Sequence, residues 1–142
     1  MDEVIFSSSV KKTQQIAKKL AKKIKPGDVL AFYGNLGSGK TTFIQELAKG
    51  LGIKRRIISP TFIIVRSYLI KKGNFYHIDL YRTETHNDLL GIGIDQIISD
   101  KHAVAAIEWA EKLGKLLPLK RYDIIFDDLG EDKRNISIKK YE

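Results

Sequence analysis

Eight consecutive residues, Gly34-Asn35-Leu36-Gly37-Ser38-Gly39-Lys40-Thr41, follow the pattern G-x-x-x-x-G-K-S/T. Few sequence features restrict a fold so strongly. Glycines let the backbone wrap an anion with several N–H groups turned inward. A lysine at the seventh position reaches β- and γ-phosphates, and the hydroxyl that follows it ligates Mg²⁺. A helix beginning near Gly39 adds the positive end of its dipole. Four of the eight positions are constrained, so a chance match in a chain of 142 residues has a probability on the order of 1%.

The flanks supply the context that this motif requires. Val29-Leu30-Ala31-Phe32-Tyr33 is an apolar run suited to a buried parallel strand, entered through the turn Pro26-Gly27-Asp28. After the loop, Phe43, Ile44, Leu47, Ala48 and Leu51 recur at helical spacing, and Gly50 and Gly52 mark the stop. Strand, glycine loop and helix together predict a phosphate site with Lys40 exposed in the loop.

Length and composition suit one α/β domain spanning 1–142, with 43% hydrophobic and 30% charged residues. No apolar stretch approaches the ~20 residues of a bilayer span, and no signal-peptide core is present, which predicts a cytoplasmic protein without a membrane partner. There are no cysteines, and His77, His86 and His102 do not stand at a metal-pair spacing, which argues against zinc chemistry. The net charge of +8 favours acidic partners. Much of it lies in 10–25, where Val10, Ile16, Ala17, Leu20, Ala21 and Ile24 form an apolar stripe and lysines take the other face. Ser7, Ser8 or Ser9 caps this helix. Its lysine face reads as a solvated surface, with RNA or partner docking as the alternative.

Further along, 57–70 and 74–81 read as two antiparallel strands joined at Lys71–Asn74. Residues 86–100 read as helical pieces broken by Gly91 and Gly93, 103–108 as a short buried strand, and 109–117 as a short helix or loop ended by Pro118. Residues 121–128 and 134–141 form a second hairpin around Gly130–Lys133.

Hydrolysis needs a carboxylate at the mouth of a neighbouring strand to hold Mg²⁺ or its water. Glu108 ends the run Ala103–Ile107, an apolar strand closing on an acid, and reads as a metal-linked group, with a structural N-cap as the alternative. Asp79 is the second candidate. Strand alternation puts His77, Asp79 and Tyr81 on one face, which reads either as a site or as an exposed hairpin face. No NKxD base-recognition motif occurs, so ATP is preferred over GTP.

The chain resembles the TsaE (YjeE) family in Gly34–Thr42 (GNLGSGKTT), Ser59-Pro60-Thr61-Phe62, His77–Arg82 (HIDLYR), Gly91-Ile92-Gly93 and Glu108-Trp109, taken in that order. Asn35 and Ser38 stand where that family usually has an acid and an alanine. The resemblance implies a three-layer P-loop NTPase fold, with a mostly parallel sheet and antiparallel hairpin additions. It implies a small Mg²⁺-dependent ATPase supporting N6-threonylcarbamoyladenosine formation at position 37 of tRNA. Such a protein works with the TsaD–TsaB pair and resets it between turnovers. It meets tRNA indirectly, through the complex, and has no part with DNA. By the same resemblance, the backbone of Leu36, Gly37, Ser38, Gly39, Lys40, Thr41 and Thr42, with the Lys40 side chain, holds the phosphates. Thr41 and Glu108 hold the metal, directly or through water, and Asp79 lies near the γ-phosphate or the metal. Thr61 senses the γ-phosphate, Arg82 neutralises charge or meets a partner, and Arg134 lies near the adenine. Trp109 is either core, the favoured reading, or partner surface. A small-molecule kinase is the rival enzyme, although no arginine-rich lid segment stands out. A nucleotide-dependent binding module is the rival from another class.

Overall fold

The computed structural model describes residues 2–35, 37–57, 64–71 and 73–142. Seven strands form one sheet: β1 (Asp2–Ser7), β2 (Val29–Tyr33), β3 (Val65–Ile70), β4 (Gly73–Asp79), β5 (Ala103–Glu108), β6 (Arg121–Gly130) and β7 (Lys133–Tyr141). Their order across the sheet is β1-β7-β6-β2-β5-β4-β3. The middle pairings, β6 with β2, β2 with β5 and β5 with β4, are parallel. Antiparallel β7 and β1 extend one edge, and antiparallel β3 closes the other. The mixed α/β class, the parallel centre and the two hairpins therefore follow the sequence reading.

Two packed layers flank the sheet. On one face lie α1 (Val10–Ala21) and α2 (Lys40–Gly50), whose Ile16, Leu20, Phe43 and Leu47 join Leu30, Phe32, Ile124 and Ile136 from the strands. On the other face, α3 (His86–Gly91), α4 (Ile94–Ser99) and a 3₁₀ turn over Ala110–Leu116 pack on Val29, Ala31, Ile78 and Ile107. β2 is buried along most of its length because it lies between parallel neighbours and under both layers, as its unbroken apolar run requires. Phe32, Phe43 and Phe126 tie β2, α2 and β6 together, with ring centroids 5.7 Å and 5.6 Å apart at the two edge-on contacts. Each such pair contributes about 0.5–1.5 kcal/mol beyond its area burial. This clamp fixes the two ends of the glycine loop.

Local chemistry explains the helix limits. Ser9 caps α1, its side chain accepting from Lys12 N at 3.1 Å. α1 and α2 approach closely because Gly50 lacks a Cβ, which would stand 2.4 Å from that of Ala21. α3 starts with a full capping box between Thr85 and Asp88.

Three expectations change. Ile57 is buried but lies outside the strand, and β3 begins at Val65; the segment between them falls outside the described residues. β4 ends at Asp79, so Tyr81 sits in the following turn and does not share the strand face of His77 and Asp79. β1 has no counterpart in the sequence reading. Its acidic first residues mask a Val4-Ile5-Phe6 run that pairs with β7 from Asp2↔Lys139 to Ser7↔Arg134.

Candidate nucleotide and metal site

The chain leaves β2, runs through the glycine loop and enters α2 at Lys40. Gly39 makes the transition with φ 103°, in the left-handed region that favours glycine. It has no side chain to cap the helix, so no side-chain acceptor occupies the N–H groups opening α2. A Cβ at Gly39 would also stand 1.8 Å from Nη1 of Arg134, so that guanidinium would have to leave its place against the loop.

Lys40 contradicts the expectation of an exposed lysine: it is 4% exposed. Its ammonium donates to the Gly34 carbonyl, closing the loop on itself, and lies 4.3 Å from the ring centroid of Trp109. Burial lowers its pKa from the usual lysine range, and the charges of Glu108, Asp79 and Glu111 oppose that shift. A polyanion beside Lys40 would relieve the same cost.

The carboxylates come from adjacent parallel strands. Asp79 and Glu108 are register partners at the C-terminal ends of β4 and β5. Glu108 is 4% exposed, and its Oε2 lies 2.7 Å from Nε2 of fully buried His77. Asp79 Oδ1 accepts from the backbone N–H of Tyr81 at 3.0 Å. Burial raises the Asp79 pKa, the Tyr81 hydrogen bond opposes this, and the neighbouring Glu108 charge raises it further.

Arg134 reaches the loop from β7. It is 6% exposed, and its Nη1 donates to the Ser38 carbonyl at 2.8 Å. Asp132 lies 3.9 Å from its Nη2. A cleft of about 390 Å³ gathers Gly37, Gly39, Lys40, Thr41, Thr42, Asp79, Glu108 and Arg134 on its walls. Eight of the site residues read from the sequence thus meet in one place. Ser38 is buried in the loop beneath them. Arg82 lies on the exposed turn after β4 and is not one of the cleft's lining residues. Leu36 and Thr61 lie outside the described residues.

Two contacts leave no trace in the residue pattern. The alternation placed His77 beside Asp79, but only the register of β4 against β5 turns it toward Glu108. Trp109 is half-buried, packs with its ring centroid 5.1 Å from that of Tyr81 at a tilt of 46°, and adopts φ 59°, a left-handed conformation costly for a bulky residue. It joins the core and borders the site at once. Its left-handed turn directly after Glu108 leaves the ring under the Lys40 ammonium.

Comparison with known proteins settles the lineage. The family model described as threonylcarbamoyl adenosine biosynthesis protein TsaE matches residues 7–136. The chain belongs to the TsaE family. Among relatives named tRNA threonylcarbamoyladenosine biosynthesis protein TsaE, that of Bacillus subtilis is 41% identical over 125 residues, covering 88% of this chain and 77% of its own. That of Aquifex aeolicus is 36% identical over 144 residues, covering 97% and 96%. The crystal structure of Bacillus subtilis YdiB superposes with a TM-score of 0.83 at 32% identity, covering 100% of this chain and 87% of that one. Membership makes this chain a TsaE protein of tRNA threonylcarbamoyladenosine biosynthesis.

Proposed function

We propose that this TsaE protein is a Mg²⁺-dependent ATPase on a three-layer P-loop fold, forming one domain and acting on the TsaD–TsaB pair between rounds of tRNA modification. The observation carrying this reading is the meeting of Lys40, Thr41, Asp79 and Glu108 in one cleft at the uncapped start of α2.

The residues fit the nucleotide and its ion. Ser38 Oγ, in the glycine loop, and Arg134 Nε, whose guanidinium meets that loop, are buried without a hydrogen-bond partner among the described residues. No cluster of three or more metal-ligating side chains occurs among the described residues. One hydroxyl and one or two carboxylates suit Mg²⁺, which keeps several waters and shares phosphate oxygens, and do not suit an ion needing a full protein cage. When bound, Mg²⁺ would supply positive charge against that of the phosphates.

The chain's own residues then divide the work. The loop backbone and Lys40 hold the phosphates, and Thr41 and Glu108 hold the ion. His77 fixes the Glu108 carboxylate in place, as partners of metal-bound carboxylates commonly do. Asp79 orients water beside the ion. Arg134 braces the loop through Ser38 and stands beside the phosphates, a role nearer the glycine loop than an adenine contact. Thr61 senses the γ-phosphate, and Arg82 answers charge brought by the partner. No side chain is needed as a general base, since phosphoryl transfer proceeds through positioning and charge stabilisation.

The deciding experiment is Mg²⁺-ATP hydrolysis by the purified protein, alone and with a cognate TsaD–TsaB pair. Slow turnover alone and strong stimulation by the pair are expected. Phosphate transfer to a small metabolite would replace this reading with a kinase, and nucleotide binding without turnover in either setting would replace it with a binding module.

A further inference from the structure

The α1 region carries Lys11, Lys12, Lys18, Lys19, Lys22, Lys23 and Lys25, all exposed, and no acidic residue lies between Glu3 and Asp28. At 3.6 residues per turn, Lys11, Lys18 and Lys22 form one row about 16 Å long, and Lys12, Lys19 and Lys23 form a second about 100° away. Helix stability accounts for only part of this arrangement: Lys18 and Lys19 in the last turn suit the dipole, but the other end does not. Lys11 and Lys12 sit in the first turn, which holds no acidic residue and where the dipole disfavours cations. Lys18 faces Lys22, and Lys19 faces Lys23, at the i,i+4 spacing where like charges repel. None of Lys11, Lys12, Lys18, Lys19, Lys22 and Lys25 belongs to a salt bridge among the described residues. Two first-turn lysines set against the dipole, in a segment with no acidic residue, point to a function.

The track is continuous. Lys12, Lys19 and Lys23 line a groove of about 320 Å³ floored by Ile16, Leu20 and Ile138, with Glu3 on its rim. Beyond the rows, Lys25 lines a cleft of about 310 Å³ that also holds Lys120, Arg121 and Lys140, the rings of Tyr122 and Tyr141, and the acids Asp28 and Glu142. At its other end, α1 begins at Val10, on the wall of the nucleotide cleft.

We infer that the lysine rows of α1 bind the phosphate backbone of RNA. Two arguments favour RNA over an acidic protein. Protein interfaces are depleted in lysine and anchored by aromatic and arginine side chains, whereas the charged residues of these rows are all lysines and no aromatic side chain stands among them. Point charges on flexible stems, spaced along a line, suit a repeating phosphate chain read without sequence. The inference goes beyond the ATPase reading: it gives this chain its own contact with RNA, independent of the TsaD–TsaB pair.

The test is binding of a labelled unmodified tRNA transcript to the isolated full chain by fluorescence anisotropy, from 50 to 300 mM KCl. Log Kd should change linearly with log salt, with a slope of about 3–4 for four to five phosphate contacts. A variant carrying Lys12→Gln, Lys18→Gln, Lys19→Gln and Lys22→Gln should lower that slope by about 2–3 and weaken binding at 100 mM KCl at least about tenfold. Its circular dichroism and Mg²⁺-ATP turnover should match the parent. Lys40→Ala should keep the RNA slope, which separates failure of this inference from failure of the ATPase reading. No binding at 50 mM KCl, or equal binding by the four-lysine variant, overturns the inference. So does tighter binding of polyglutamate than of tRNA, which would assign the face to an acidic protein.

Discussion

The two cationic regions of this chain are built on opposite terms. Lys40 and Arg134 are almost wholly buried, and each donates to a carbonyl of the glycine loop. The α1 lysines are exposed along the whole length of the helix. A buried cation carries a desolvation cost that a fixed anion relieves, so it suits one small ligand in one pose. An exposed row costs little, is weakened by salt and tolerates a ligand that slides or varies. Positive charge therefore divides in this fold between a site that selects and a surface that gathers.

The largest test of that division is Lys40→Ala. Loss of a cation set against the phosphates should lower kcat about a thousandfold, while circular dichroism and a cooperative denaturation transition show that the chain still folds. Retained turnover would remove the cleft from the phosphate chemistry. His77→Ala comes next. Freed from its 2.7 Å partner, Glu108 should hold Mg²⁺ about 10–100-fold more weakly, read as a shift in the Mg²⁺ dependence of turnover. An unshifted titration would make the His77–Glu108 pair a packing contact only.

Arg134→Ala leaves the Ser38 carbonyl without its donor, and urea denaturation should report a loss of about 1–3 kcal/mol together with weaker nucleotide binding. Between the buried and exposed extremes stands Arg121, paired at 2.8 Å with Asp123, which in turn accepts from the Tyr33 hydroxyl at 3.3 Å. Burial, then the Asp123 charge, pushes the Tyr33 pKa up from 10.0 to about 12. The folded value lies above the ordinary one. Stability is therefore fully present below pH 10 and is lost as pH climbs toward about 12. Tyr33→Phe should remove that part of the alkaline decline. The smallest effect belongs to the outer face of α1: Lys11→Glu puts an acid in a first turn that holds none and should raise stability by about 0.3–1 kcal/mol. A loss there would mean that the lysine row helps to hold the fold.

Much of this was legible in the residues. The glycine loop, the apolar β2, the 3.6-residue period of α2 and the acid closing β5 are local patterns, and they place Lys40, Thr41 and Glu108 at one mouth. What stayed hidden depends on register and depth. Nothing in HIDLYR says which strand β4 will lie beside, so His77 does not reveal Glu108 as its partner. A lysine in a glycine loop reads as exposed until the Trp109 ring and the two carboxylates close over it. Tyr81 continues an alternating pattern that the turn after Asp79 cuts short. β1 has only six residues, two of its first three positions are acidic as counted from Asp2, and its pairing with β7 lies at the far end of the chain.

One contact gives the molecule a built-in reporter. Trp109 is the only tryptophan in the chain, and its indole lies beneath the ammonium that phosphates would draw away. Emission from the native protein, with no dye attached, should therefore change as the cleft fills and empties, so each stage of a turnover could be timed by light.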